Sequence, residues 1–140
     1  MEYKRKVQYY ETDQMGIVHH SNYIRWFEEA RSYLLEQIGC GYKEMEEAGI
    51  ISPVLSVNAE YKSMTHFYDE VTIHTQIISY NGVKIVLKYE VVDTKDKTIR
   101  CVGESSHCFL DREGRIISLK KEYREIHELL KKAMESKCNP

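Results

Sequence analysis

Between residues 21 and 38, apolar positions occupy most of a helical circumference. Projected at 3.6 residues per turn, Arg25, Glu28, Glu29, Ser32 and Glu36 fall on one narrow polar stripe, and Tyr23, Trp26, Phe27, Ala30, Tyr33, Leu34 and Ile38 take up most of the rest. The pattern predicts a helix more fully covered than a surface helix needs to be. Ser21 or Asn22 is suited to cap its unpaired first-turn amides, and Gly39 or Gly41 to end it. A short second helix is expected over 42–48.

Beyond Gly49 the pattern changes to β-rich runs at 52–61, 70–79, 83–92 and 99–110, which read as long strands. Asn81-Gly82 supplies the positive backbone angles of a tight hairpin turn. Residues 94–97 and 111–114 make two further connections, so the sheet is expected to be mainly antiparallel. Upstream, the short mixed segment that 7–10 follows reads as a strand, and 13–16 has the composition of a turn, so a strand-to-helix connection is expected here. Leu119, Tyr123, Ile126, Leu130 and Ala133 recur every three or four residues through a charged stretch, predicting a terminal amphipathic helix after Ser118. The simplest packing sets the long helix against one face of a curled sheet of about five strands, an α+β domain.

Composition narrows the partners. A chain of 140 residues without repeats or a Pro/Gly/Ser-rich linker is expected to form one domain spanning 1–140. A net charge of -2 gives no excess of Lys and Arg to neutralise phosphates, so no nucleic-acid partner is expected. The opening MEYKRKVQYYETD has basic residues but no following apolar run, so no signal peptide or membrane partner is expected and the chain reads as cytoplasmic. Cys40, Cys101, Cys108 and Cys138 lack CxxC spacing and read as buried free thiols. The six histidines show no matched ligand spacing, so no metal is expected.

Asp13 stands just before the start of the long helix, and Gly16 between them allows a tight backbone path. Free amides at a helix N-terminus polarise a carbonyl oxygen and stabilise the oxyanion formed on attack. A nearby carboxylate either takes a proton from water or attacks the carbonyl carbon itself. Asp is also common in turns, and a His such as His20 near a helix start is commonly just a hydrogen-bonding residue, so position alone leaves a purely structural role open.

The segment YETDQMGIVHHSNYIRWFEEAR, residues 10–31, resembles the opening motif of the 4-hydroxybenzoyl-CoA thioesterase family within the hotdog superfamily. The match comprises Asp13, Gly16, Ile17-Val18, His20, Tyr23 and WFEEAR, and the length and element order agree over the whole chain. The resemblance implies a helix wrapped by an antiparallel sheet, protomers pairing as a dimer or higher oligomer, and sites at the interface between protomers. It implies hydrolysis of an acyl-CoA thioester, or one carried on acyl carrier protein, to free acid and thiol without a cofactor. Asp13 would be base or nucleophile, and the backbone N–H of His20 would bind the carbonyl. Tyr10, Gly16 and Tyr23 would shape the pocket, with Lys62, Lys84, Lys88 and the Asn81-Gly82 hairpin as candidate contacts for CoA. Two alternatives are an acyl-CoA hydratase or dehydratase, weakened by the absence of a DxNPxH segment, and a non-catalytic acyl-ligand-binding oligomer.

Overall fold

The computed structural model describes residues 1–136. In chain order it contains β1 (Glu2–Lys6), α1 (Ser21–Ile38), α2 (Tyr42–Ala48), β2 (Val54–Tyr61), β3 (Glu70–Tyr80), β4 (Lys84–Asp93), β5 (Ile99–Cys108), α3 (Leu119–Glu122) and α4 (Arg124–Glu135). The five strands form one sheet in the order β1-β3-β4-β5-β2. Every neighbouring pair is antiparallel.

The inner face of the sheet is built by period-two alternation. Val71, Ile73 and Ile77 of β3 and Ile85, Leu87, Tyr89 and Val91 of β4 are all buried. Against them α1 lays Trp26, Phe27, Ala30 and Leu34, each no more than 2% exposed. Burying each large side chain of this kind stabilises the fold by about 1.5–3 kcal/mol. Phe27 stacks on Tyr89, with ring centroids 4.4 Å apart and planes 7° from parallel. The predicted polar stripe is on the outer side of α1, where Arg25, Glu28 and Glu36 are exposed.

The sheet is open rather than curled around the helix, which corrects the expected architecture. β1 and β2 are its two ends and do not pair with each other. Had the sheet wrapped α1, the inward residues of β2 would be buried, yet Val54, Val57 and Tyr61 are 50%, 39% and 49% exposed. The reason is width: five strands spaced about 4.8 Å apart span roughly 20 Å, enough to cover one side of a helix about 10–12 Å across. Much of the apolar circumference of α1 is instead covered by its own flanks. Its start packs against the chain before it, and Leu35 joins Met45 and Ile50 in the core cluster.

The strand expected ahead of residue 7 is Glu2–Lys6, and Tyr9–Glu11 is a 3-10 turn, while two other local expectations shift. Along EYKRK exposed and half-buried positions alternate, as an edge strand requires. The terminal helix breaks at Tyr123, whose backbone leaves helical angles (φ -138, ψ 68) while its hydroxyl donates to the Ala48 carbonyl at 3.0 Å. At the β3–β4 hairpin only Gly82 takes positive φ, and the Asn81 carboxamide oxygen accepts the amides of Val83 and Lys84. Cys40, Cys101 and Cys108 are free and buried, as expected; Cys138 lies outside the described residues.

Candidate active site

The segment before α1 is tied to the domain through Glu11. Its Oε1 accepts from Arg5 Nη1 at 2.7 Å and the Gln8 amide at 2.8 Å, and its Oε2 accepts from Trp26 Nε1 at 2.7 Å. Its carbonyl accepts from Asn22 Nδ2 at 2.8 Å and the His19 amide at 2.9 Å. Burial would raise the Glu11 carboxyl pKa, but the Arg5, Gln8 and Trp26 donors outweigh it and hold the group below the ordinary carboxylate range. β1, the 3-10 turn and the first turns of α1 are thereby locked together around one buried anion.

Two residues later the chain turns sharply. The Asp13 carbonyl accepts the Gly16 amide at 3.0 Å, its amide donates to the Ile17 carbonyl at 2.8 Å, and its Oδ1 accepts the Met15 amide at 2.8 Å. Gly16 closes the turn at φ +75, a conformation that side chains resist. Small bridges from Thr12 to Val18 and from Ile17 to His66 fasten both sides. The result is an exposed carboxylate on a braced turn.

The chain enters α1 through His20, at φ -54 and ψ -30. No side chain caps the helix by bonding from the N-cap position, although the Ser21 amide donates to His19 Nδ1 at 3.3 Å. The His20 N–H donates to no acceptor among the described residues. Asp13, His20, Tyr23, Tyr61, Lys62 and Met64 line one open cleft of about 370 Å³, within the usual range for small-molecule sites. Tyr23 is fixed there by a 2.9 Å bond to Thr65 Oγ1, and burial pushes its phenol up. Lys62 pairs with Glu60 at 3.0 Å. The cleft therefore combines a carboxylate, an unused amide at a helix start and a partly apolar wall, a set suited to attack on a carbonyl.

The sequence profile of the thioesterase-like superfamily matches residues 7–135, nearly the whole chain. The chain belongs to that superfamily. Bacillus subtilis YneP, provisionally assigned as an acyl-CoA thioesterase, is 37% identical over 129 residues, covering 91% of this chain and 93% of its own. Among solved structures, DHNA-CoA thioesterase from Staphylococcus aureus superposes with a TM-score of 0.88 at 31% identity, covering 94% of this chain and 88% of that one. A hypothetical protein from Aquifex aeolicus gives 0.82 at 34% identity, covering 90% and 98%. This thioesterase-superfamily chain has the hotdog fold and is an enzyme of the thioesterase class.

Of the residues singled out in the sequence, Asp13, His20, Tyr23 and Lys62 meet in the cleft, and Gly16 shapes the turn beside it. Tyr10 is 78% exposed and is not part of the cleft wall. Asn81 and Lys84 stand at the β3–β4 hairpin, also outside that wall, and Lys88 lines a separate hollow with His74, Gln76 and Glu90 on the outer face of the sheet. Sequence reasoning missed Glu11, although it sits two residues from Asp13 in the same motif. An acid followed by a turn carries no sign that an Arg six residues upstream and the Trp of the next helix will converge on it.

Proposed function

We propose that this enzyme hydrolyses an acyl-CoA thioester to free acid and CoA in the cytoplasm, with Asp13 as general base or nucleophile and the His20 backbone N–H polarising the carbonyl. The observation that carries this reading is the unused His20 amide beside Asp13 in one cleft. As base, Asp13 removes a proton from water while the water oxygen bonds to the carbonyl carbon. The negative oxygen is held at the helix start; the C–S bond then breaks and the thiolate takes up a proton. As nucleophile, an Asp13 oxygen attacks the carbon, CoA leaves, and water cleaves the resulting anhydride. A thiolate leaves readily because thiols ionise near pKa 8.5, so neither route demands a strong general acid. The kinship with YneP and with the Staphylococcus aureus DHNA-CoA thioesterase supports CoA as the thiol.

The same reading includes a homo-oligomer with its sites near the contact between copies. β2 is an edge strand with an apolar, exposed inner face in Val54, Val57 and Tyr61, and exposed Met64 continues that surface into the cleft. Edges of this kind are normally covered.

Thiol release from short, long and aromatic acyl-CoAs, by wild type and Asp13→Ala, tests the reading. Asp13→Ala is expected to lose about 100-fold or more in kcat, and equal rates would remove Asp13 from the chemistry. After a single turnover in ¹⁸O-water, label in the Asp13 carboxylate marks the nucleophilic route with water attacking the anhydride at the Asp13 carbon.

A further inference from the structure

α1 and β2 meet along a seam that holds a second hollow beyond the cleft of Asp13. It is bordered by Phe27 and Arg31 of α1, Val57 of β2, Tyr89 of β4, and Ser105 and His107 of β5, and encloses about 90 Å³. The two hollows follow one another along this seam, Tyr23 and Tyr61 bordering the first and Phe27 and Val57, each four residues along, the second. From the His20 amide to Ile24 is about 6 Å along the helix axis, and to Phe27 about 10 Å. An acyl group whose carbonyl sits at His20 therefore reaches this cavity with its far end.

Polar groups converge there within a largely apolar wall. Tyr89 OH lies 2.6 Å from Ser105 Oγ, which lies 2.7 Å from His107 Nε2. His107 Nδ1 is buried and makes no hydrogen bond of good geometry, although the Pro53 backbone lies near enough to the ring to favour its charged form. In whichever direction the chain of hydrogens runs, one donor is left over, either the Tyr89 O–H or the His107 Nδ1–H. Arg31 is 4% exposed, stacks over the Tyr42 ring, and bonds Glu28 Oε1 at 3.3 Å. The Glu28 side chain is 63% exposed, so the buried guanidinium is only weakly neutralised and its partner is free to swing into water. Size decides what fits: an apolar cavity that admits benzene measures about 150 Å³, and a water takes about 30 Å³. The hollow suits a carboxylate with a methylene or two, not a ring.

We propose that this cavity is a subsite for the far end of the acyl group and selects short dicarboxylic acyl thioesters, whose free carboxylate replaces Glu28 on Arg31 and accepts the spare donor of the Tyr89–Ser105–His107 chain; the proposal rests on the thioesterase reading. The distance from His20 corresponds to a diacyl chain of about six carbons or somewhat more. His107 has a pKa pushed down to about 4, chiefly by burial and further by the Arg31 charge, with the Pro53 backbone opposing. A bound carboxylate counters Arg31 and draws that pKa upward.

Adipyl-CoA and hexanoyl-CoA, equal in carbon number, are the kinetic probes. Wild type is expected to favour adipyl-CoA at least tenfold in kcat/KM. The ratio widens in Glu28→Gln, which removes the competing carboxylate, and falls toward one in Ser105→Ala and Arg31→Gln. A binding arm needs no turnover: adipate is expected to raise the His107 titration followed by ring NMR, and hexanoate to leave it in place. Hexanoyl-CoA cleaved as fast as adipyl-CoA overturns the subsite while leaving hydrolysis intact. Failure to cleave any thioester, with adipate still moving His107, overturns the thioesterase reading and supports the subsite. No response of His107 to adipate overturns the subsite.

Discussion

Trp26 Nε1 donates to Glu11 Oε2 at 2.7 Å, joining the first turns of α1 to the segment that carries Asp13. The Glu11 side chain is 4% exposed and that of its other partner, Arg5, 12%. Glu11→Ala would strand Arg5 and leave the indole N–H and the Gln8 amide without their acceptor. Removing one member of a buried ion pair costs about 3–5 kcal/mol. Urea unfolding is expected to show a loss of that order, larger than for Glu29→Ala, whose partly exposed carboxylate is a lesser partner of Arg5 at 2.9 Å. Equal losses would show that Glu11 is not the anchor.

The pH dependence of stability follows from His107, which is 1% exposed and held neutral by burial, with its pKa lowered from 6.5 to about 4. Above pH 6.5 neither folded nor unfolded chain carries the proton and the group is silent. As pH falls from 6.5 toward 4, the unfolded chain takes up a proton that the folded chain refuses, so stability declines by up to about 1.4 kcal/mol per unit. His127, also lowered by burial, adds to the slope in the same direction. Urea midpoints between pH 7 and 4.5 are expected to fall more shallowly in His107→Gln than in wild type. Parallel profiles would mean that His107 titrates normally. Glu11, lowered instead, is at full strength above 4.5 and loses its contribution at more acid pH, as the medium falls through its folded pKa.

Gly103 lies where β5 passes beneath Phe27. A Cβ at this position would run into the Asn58 carbonyl oxygen of β2 and come within 2.6 Å of the Phe27 ring. The ring is itself clamped by its stack on Tyr89, so neither neighbour yields without moving α1 or the edge strand. Gly103→Ala is expected to destabilise by about 1–3 kcal/mol, the usual cost of overpacking, read as a fall of several degrees in Tm. Gly114, with nothing within 4 Å of its Cβ position but a left-handed φ of +83, serves as a control in which strain acts without a clash.

Elements whose signal is local were legible before the structure was known. α1 declared itself by periodicity, β3 and β4 by β-rich runs joined through Asn81-Gly82, and the turn from Asp13 to Gly16 by its composition. What escaped depends on contacts distant in sequence. Glu11 is completed by Arg5 and Trp26, and the Tyr89–Ser105–His107 chain needs two paired strands to bring its members together. The curl was inferred from the apolar circumference of α1, which says that a face is covered but not what covers it. The rest of that face is met by Val18, Met45, Ile50 and the other flanking core residues rather than by a wrapping sheet.

The role given to His20 belongs to its backbone, and the backbone angle there allows a direct test. Its φ of -54 lies within the range proline imposes, and its N–H donates to nothing within the described residues. Proline is tolerated at the start of a helix because the amide it lacks has no helical partner there. His20→Pro thus deletes the carbonyl-binding donor with little change to the helix, whereas His20→Ala deletes the imidazole and keeps the donor. Loss of one such donor typically costs about 100- to 1000-fold in kcat. The proline variant is expected to fall by that amount with Tm nearly unchanged, and the alanine variant to stay within a few-fold of wild type. A folded proline variant with wild-type kcat would rule out the amide, and a collapse in the alanine variant alone would move the role to the imidazole.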